Sequence, residues 1–186
     1  MSSLSTQEEA ELDATIQKIA QDHGYVSNLM QTLALAPRGL AAFAELGTYT
    51  RYGSHLTQLQ RVLATVIAVR DVPYGWSHFA PLAVAIGITE EQLLLLREGR
   101  TPKEFASTER ALCDYGFEIT AGRRVPPRVA QEMRAHFAPR QIVDIALLTA
   151  HTMSFAALAL GLDVATEEPD VLQFELDWHL RKAGRT

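Results

Sequence analysis

The chain has 186 residues, 47% of them hydrophobic and 21% charged, and a net charge of -5 at pH 7. That length suits one domain with a core of its own, and the acidic balance speaks against a face built for nucleic-acid phosphates. No stretch reaches the ~18 uninterrupted apolar residues of a membrane span. The polar start MSSLSTQEEAELDATIQ lacks the basic end and apolar centre of a secretory signal, so the expected location is the cytoplasm.

The pattern is helical nearly throughout. Ser5 and Glu8 have the spacing of a capping box and Gly24 is a stop, which predicts a helix between them with Leu12, Ile16, Ile19 and Ala20 on one face. SNLMQTLALAP reads as a short helix ending before Pro37, and PRGLAAFAELGTYTRYG as one helix from Pro37 to near Gly53. LTQLQRVLATVIAVR is apolar almost all round, the mark of a central helix. Pro73 opens the next helix and Gly87 stops it. Thr89 caps TEEQLLLLREG, with acidic residues in its first turn.

Residues 97–107 read as a surface connection. STERALCDYGFEITAG follows, capped by Ser107 or Thr108 and closed by Gly122. PPRVAQEMRAHF is amphipathic, and PRQIVDIALLTAHTMSFAALALGLDV is the longest apolar stretch, ending around Gly161 and Asp163. The tail places Leu172, Leu176 and Leu180 four apart, as an amphipathic helix laid on the body or on a partner chain. With no convincing strand, linker or repeat, residues 1–186 are expected to form a single all-α domain, a multi-helix bundle.

Six histidines, His23, His55, His78, His136, His151 and His179, include no pair three or four residues apart. No single helix therefore offers a two-histidine metal face, and no metal is expected. There is no nucleophile elbow and no phosphate-cradling loop. The one cysteine, Cys113, has no second cysteine for an internal disulfide and reads as a buried, inert thiol.

The stretch PYGWSHF carries more chemistry. Tyr74 and His78 are four apart on one helical face, while Trp76 points roughly 160° to 200° away and packs behind. A histidine beside an apolar pocket serves as acid or base. His151 interrupts an otherwise buried helix and needs a partner or a cavity. His55 precedes the central helix. If the three imidazoles share one hollow, an acid–base site results. Arg61 is the expected cation for a carboxylate, and Arg51 reads as a solvated surface charge.

YGWSHF followed by LAVAIGITEEQL resembles the core of the carboxymuconolactone decarboxylase family, which includes the alkylhydroperoxidase D-like (AhpD-like) proteins. That core is an apolar helix, a short break, a helix bearing YEWAHH or a Cys-x-x-Cys with histidine, then a segment ending in Glu-Glu. The likeness covers about residues 40–164, leaving 5–36 and 168–182 as extensions. It implies an AhpD-like orthogonal bundle, commonly a homo-oligomer, with no cofactor. Redox members place cysteines where this chain has Val72 and Gly75, a histidine at Phe79 and a glutamate near Gln60 or Arg61. Two thiols are needed for a peroxide cycle, so the resemblance points to the non-redox members.

Those members imply a small carboxylate or lactone as substrate and a lyase or decarboxylase reaction. His78, Tyr74, His151 and His55 are the expected acid–base groups, with Arg61, Trp76 and Phe79 around the substrate. Gly75, in place of an acid, is expected to enlarge the pocket. A non-catalytic binding or assembly protein on the same scaffold is the alternative, and an alkylhydroperoxidase-type peroxidase a further one.

Overall fold

A computed structural model describes residues 4–183, and among them are ten α-helices, one π-helical turn and no strand. They are α1 (Thr6–His23), α2 (Asn28–Leu33), α3 (Pro37–Thr48), the π-helical turn (Tyr49–Gly53), α4 (Gln58–Val69), α5 (Pro73–Ala85), α6 (Glu90–Arg97), α7 (Ser107–Thr120), α8 (Pro127–His136), α9 (Pro139–Gly161) and α10 (Pro169–Ala183). The all-α bundle is as the periodicity requires.

The capping chemistry explains most boundaries. Ser5 and Glu8 form the reciprocal box of α1, and Gly24 ends it in the left-handed region. Thr57 with Gln60 and Thr89 with Gln92 do the same for α4 and α6. Helix α7 differs: its cap is Ala106, with no side-chain hydrogen bond, so neither Ser107 nor Thr108 caps it.

Helix α4 is the axis. Val62, Leu63, Ala64, Val66, Ile67 and Val69 are all buried on it, against α5, α7 and α9. Helix α9 is long and apolar enough to cross a membrane by composition alone, yet Ile145, Leu148, Phe155, Ala156 and Ala159 are core residues. Its Val143, Leu147 and Leu160 remain exposed.

The segment from Pro37 to Gly53 is not one α-helix. After Thr48 the backbone widens into the π-helical turn. An α-helix turns about 100° per residue and spreads three successive side chains over more than half of its circumference. The wider turn instead lets Thr50, Arg51 and Tyr52 reach a single cavity.

Gly75 has a packing role rather than a pocket role. A Cβ there would lie 2.6 Å from Val69 Cγ1, so glycine lets α5 close onto α4. It does not enlarge the cavity, as the sequence suggested. Gly75→Ala is expected to destabilise the fold by about 1–3 kcal/mol through overpacking, despite alanine's better helix propensity. Gly161→Ala, where a Cβ meets nothing within 4 Å, is the control; urea midpoints of the two variants check this.

Candidate functional site

Two adjoining cavities lie where the π-helical turn meets α4, α5, α9 and α10. The larger has a volume of about 460 Å³ and the smaller about 50 Å³. Gly47, Arg51, Phe79 and His151 belong to both walls. Gly47 is needed for the close approach of α9, since a Cβ there would lie 2.9 Å from His151 Nε2.

Glu175 of α10 is buried at this place, only 4% exposed. Its Oε2 is 2.5 Å from His78 Nδ1, and its Oε1 is 3.4 Å from His179 Nε2. Burial acts to raise the carboxyl pKa, but the hydrogen bonds with the two imidazoles outweigh it and hold the group well below the usual range. Glu175 is therefore an ionised acceptor, and His78 Nδ1–H donates to it. His78 Nε2 is buried with no hydrogen-bond partner among the described residues.

Glu175 and Arg51 compete for the same nitrogen. Arg51 Nη1 lies 3.2 Å from His179 Nε2 and 3.4 Å from His23 Nδ1. A protonated Nε2 donates to the carboxylate; a bare one accepts from the guanidinium, which can only donate. Burial lowers the His179 pKa, the Glu175 hydrogen bond opposes that, and the Arg51 charge lowers it further. Burial, followed by the charge of Arg51, lowers His151 to about 4 and His23 to about 3.

The large cavity carries one sign of charge. Among the described residues, Arg51, Arg61 and Lys182 line it, and no Asp or Glu does. Each cation rests on neutral partners. Arg51 also lies over the Phe79 ring at 5.3 Å. Arg61 donates to the Leu56 carbonyl. Lys182 donates to the Asp22 carbonyl and sits 4.0 Å from the centre of the Tyr52 ring.

The residues singled out in the sequence separate into two groups. His78 lines the small cavity, Arg61 the large one, and His151 and Phe79 both. Tyr74, Trp76 and His55 line neither. The Tyr74 hydroxyl donates to Glu167 Oε1 at 2.9 Å and accepts from the Leu29 N–H at 3.2 Å. A buried phenol needs such partners, and the α9–α10 connection supplies the carboxylate. Trp76 is half-buried beneath the Arg97 guanidinium, 5.1 Å from its ring centre. His55 is exposed, its Nδ1 3.7 Å from Asp144 Oδ2, at the start of α4. The three imidazoles His55, His78 and His151 therefore do not share one hollow.

Arg51 is not the surface charge its neighbours in sequence suggested, because the π-helical turn directs it inward. Glu175 and Lys182 carry no motif that marks them in the sequence, and His179 stands there only as one of six histidines. The leucine stripe of α10 left its polar residues to the solvent, although Glu175 and His179, four apart on one face, offered a signal. Cys113 is fully buried, and burial pushes its thiol pKa up. No group of three or more His, Cys, Asp or Glu among the described residues is arranged to hold a metal.

No protein-family profile matches the sequence, and no curated protein does. Solved structures do match. Against the debrominase Bmp8 the TM-score is 0.70 at 18% identity, covering 95% of each chain. A cysteine-to-alanine variant of Bmp8 bound to 2,3,4-tribromopyrrole gives 0.71 at 18% identity, covering 93% of this chain and 95% of that one. ATU0492 of Agrobacterium tumefaciens, a protein of unknown function described as an AhpD antioxidant defence protein, gives 0.66 at 19% identity, covering 74% and 96%. The chain has the AhpD-like all-α fold. At this identity the likeness is one of fold.

The neutral histidines of the site make stability depend on pH in a definite sense. Their folded pKa values, about 4 and about 3, lie below the ordinary histidine value. The unfolded chain therefore takes up protons first as pH falls. Their contribution is complete above about pH 6.5 and is lost as pH drops toward 4 and then 3, at most about 1.4 kcal/mol per pH unit for each group. Urea unfolding at a series of pH values is expected to show this decline, and His151→Gln to remove its share of the slope.

Proposed function

We propose that this chain is a cofactor-free acid–base enzyme of the lyase or decarboxylase type, acting on a small organic acid or lactone in the larger cavity. The observation that carries this reading is the wall of that cavity: among the described residues, three cations and no carboxylate. A carboxylate guest gives those cations the anionic partner that their carbonyl, imidazole and aromatic neighbours do not. Charge-assisted hydrogen bonds of this kind contribute about 1.5–3 kcal/mol each. The Bmp8 variant bound to 2,3,4-tribromopyrrole supports a small organic guest on this scaffold.

Acid–base work falls to two imidazoles. His151, kept neutral by burial, accepts a proton. His179, held between Glu175 and Arg51, takes up or releases one by changing partner. Loss of carbon dioxide leaves an electron pair that an adjacent carbonyl or unsaturated system must take up, and Arg51 and Lys182 stabilise the charge that develops there. No step passes through sulfur, because Cys113 lies in the core away from both cavities.

Carboxymuconolactone, a lactone with free carboxylates, is the probe. Calorimetric titration is expected to show binding, weakened roughly tenfold by Arg61→Met, in line with one lost charged hydrogen bond. Carbon dioxide release is expected to fall at least about 100-fold in His151→Gln, with circular dichroism unchanged. Binding without carbon dioxide release makes the chain a binding protein on this scaffold. Absence of binding overturns the reading of the cavity.

A further inference from the structure

His78 and Glu175 have the geometry of a base awaiting its proton donor. The carboxylate receives the Nδ1–H at 2.5 Å; in the neutral imidazole that tautomer places the lone pair on Nε2. That nitrogen is buried with no protein partner among the described residues. His78 forms part of the wall of the 50 Å³ cavity, room for about one or two water molecules. Tyr25 Oη lies 3.4 Å from Nδ1, on the carboxylate side of the ring. In nucleophilic hydrolases the same carboxylate–imidazole order fixes the tautomer and leaves Nε2 to take a proton from the attacking oxygen. Ser27 and Tyr25 line the same cavity, but no hydroxyl among the described residues is within hydrogen-bond reach of Nε2, and the cavity is the size of water.

We propose that the small cavity is a water-binding subsite, that His78 is the general base for that water, and that the site hydrolyses small lactone carboxylates. Glu175 is its positioning residue. The two cavities share the wall formed by Gly47, Arg51, Phe79 and His151, and the reaction requires a water beside His78 to reach a guest in the larger cavity across it. In the reaction His78 Nε2 takes a proton from water and the oxygen bonds to the lactone carbonyl carbon. The carbonyl π pair moves to its oxygen, where Arg51 faces it. The carbonyl re-forms, the ring C–O bond breaks, and the departing alkoxide takes the proton back from Nε2. The sum is lactone plus water to hydroxy acid, with no oxidant or cofactor.

This inference rests on the reading that the larger cavity admits a small lactone carboxylate. The probe is 5-oxotetrahydrofuran-2-carboxylate, a saturated lactone whose carboxyl has no unsaturated neighbour, so decarboxylation does not compete. In ¹⁸O-labelled water the chain is expected to open it to 2-hydroxyglutarate with one labelled oxygen in the new carboxylate. His78→Gln, which keeps a donor for Glu175, is expected to lower kcat at least about 100-fold with KM little changed. Nitrogen-15 NMR of the unaltered protein is expected to show neutral His78 with its proton on Nδ1, and Glu175→Gln to lose that preference. Binding without ring opening, ring opening unaffected by His78→Gln, or a proton on Nε2 overturns the inference and leaves the reading of the cavity standing. Absence of binding overturns both.

Discussion

One buried carboxylate holds the site together. Glu175 sits between His78 of α5 and His179 of its own helix, so α10 is joined to the body through a charge-assisted hydrogen bond as well as through its apolar side chains. Removing an imidazole leaves a buried carboxylate short of a charge-assisted hydrogen bond, a loss of about 1.5–3 kcal/mol. The rest of α10 is arranged to keep the pair in register. Trp178 donates to the Asp22 carbonyl at 3.3 Å and packs on Gly24, where a Cβ would lie 2.7 Å from the indole. Glu167 accepts from the Asn28 N–H and from Tyr74 just before α10 begins.

The placement of Glu175 determines the charge of both cavities. The acid is turned toward two imidazoles and stands apart from the larger cavity, whose wall is left with Arg51, Arg61 and Lys182. A cation facing only carbonyls, rings and imidazoles keeps most of its attraction for an anion. The same charges keep the nearby histidines neutral: Arg51 adds to burial in lowering His23, His151 and His179. An anion-attracting wall and neutral bases are two consequences of one distribution of charge.

The AhpD-like fold here carries a site without a working thiol. The helix that bears a Cys-x-x-Cys in redox relatives of the resembled family has Val72 and Gly75 at the corresponding positions. Val72 is part of the core and Gly75 is the contact with Val69. What remains at that place in the fold is an imidazole, and its partner comes from α10, beyond the segment that carries the sequence resemblance. A scaffold of this kind holds different chemistry because function depends on the groups facing the cavity and only loosely on the bundle that surrounds them.

Much of the fold was legible in the chain itself. The boxes at Ser5–Glu8 and Thr89–Gln92, the prolines opening α5 and α9, and the apolar girth of α4 depend on residues within a few positions of one another, and local rules govern them. His78, Arg61 and His151 could be picked out as candidates for the same reason: a polar group in an apolar helix is visible locally. The partner of each was not. Glu175 lies 97 residues from His78, and Arg51 reaches the cavity from within a π-helical turn. Tyr74, Trp76 and His55 carry the same kind of chemistry as the cavity residues, yet Glu167, Arg97 and Asp144 claim them. Sequence by itself determined the helices and their apolar faces, because hydrogen bonding and burial within a helix act over a turn or two. Tertiary structure alone decided which polar groups meet, because a buried charge is settled by whatever the packed chain brings within about 4 Å of it.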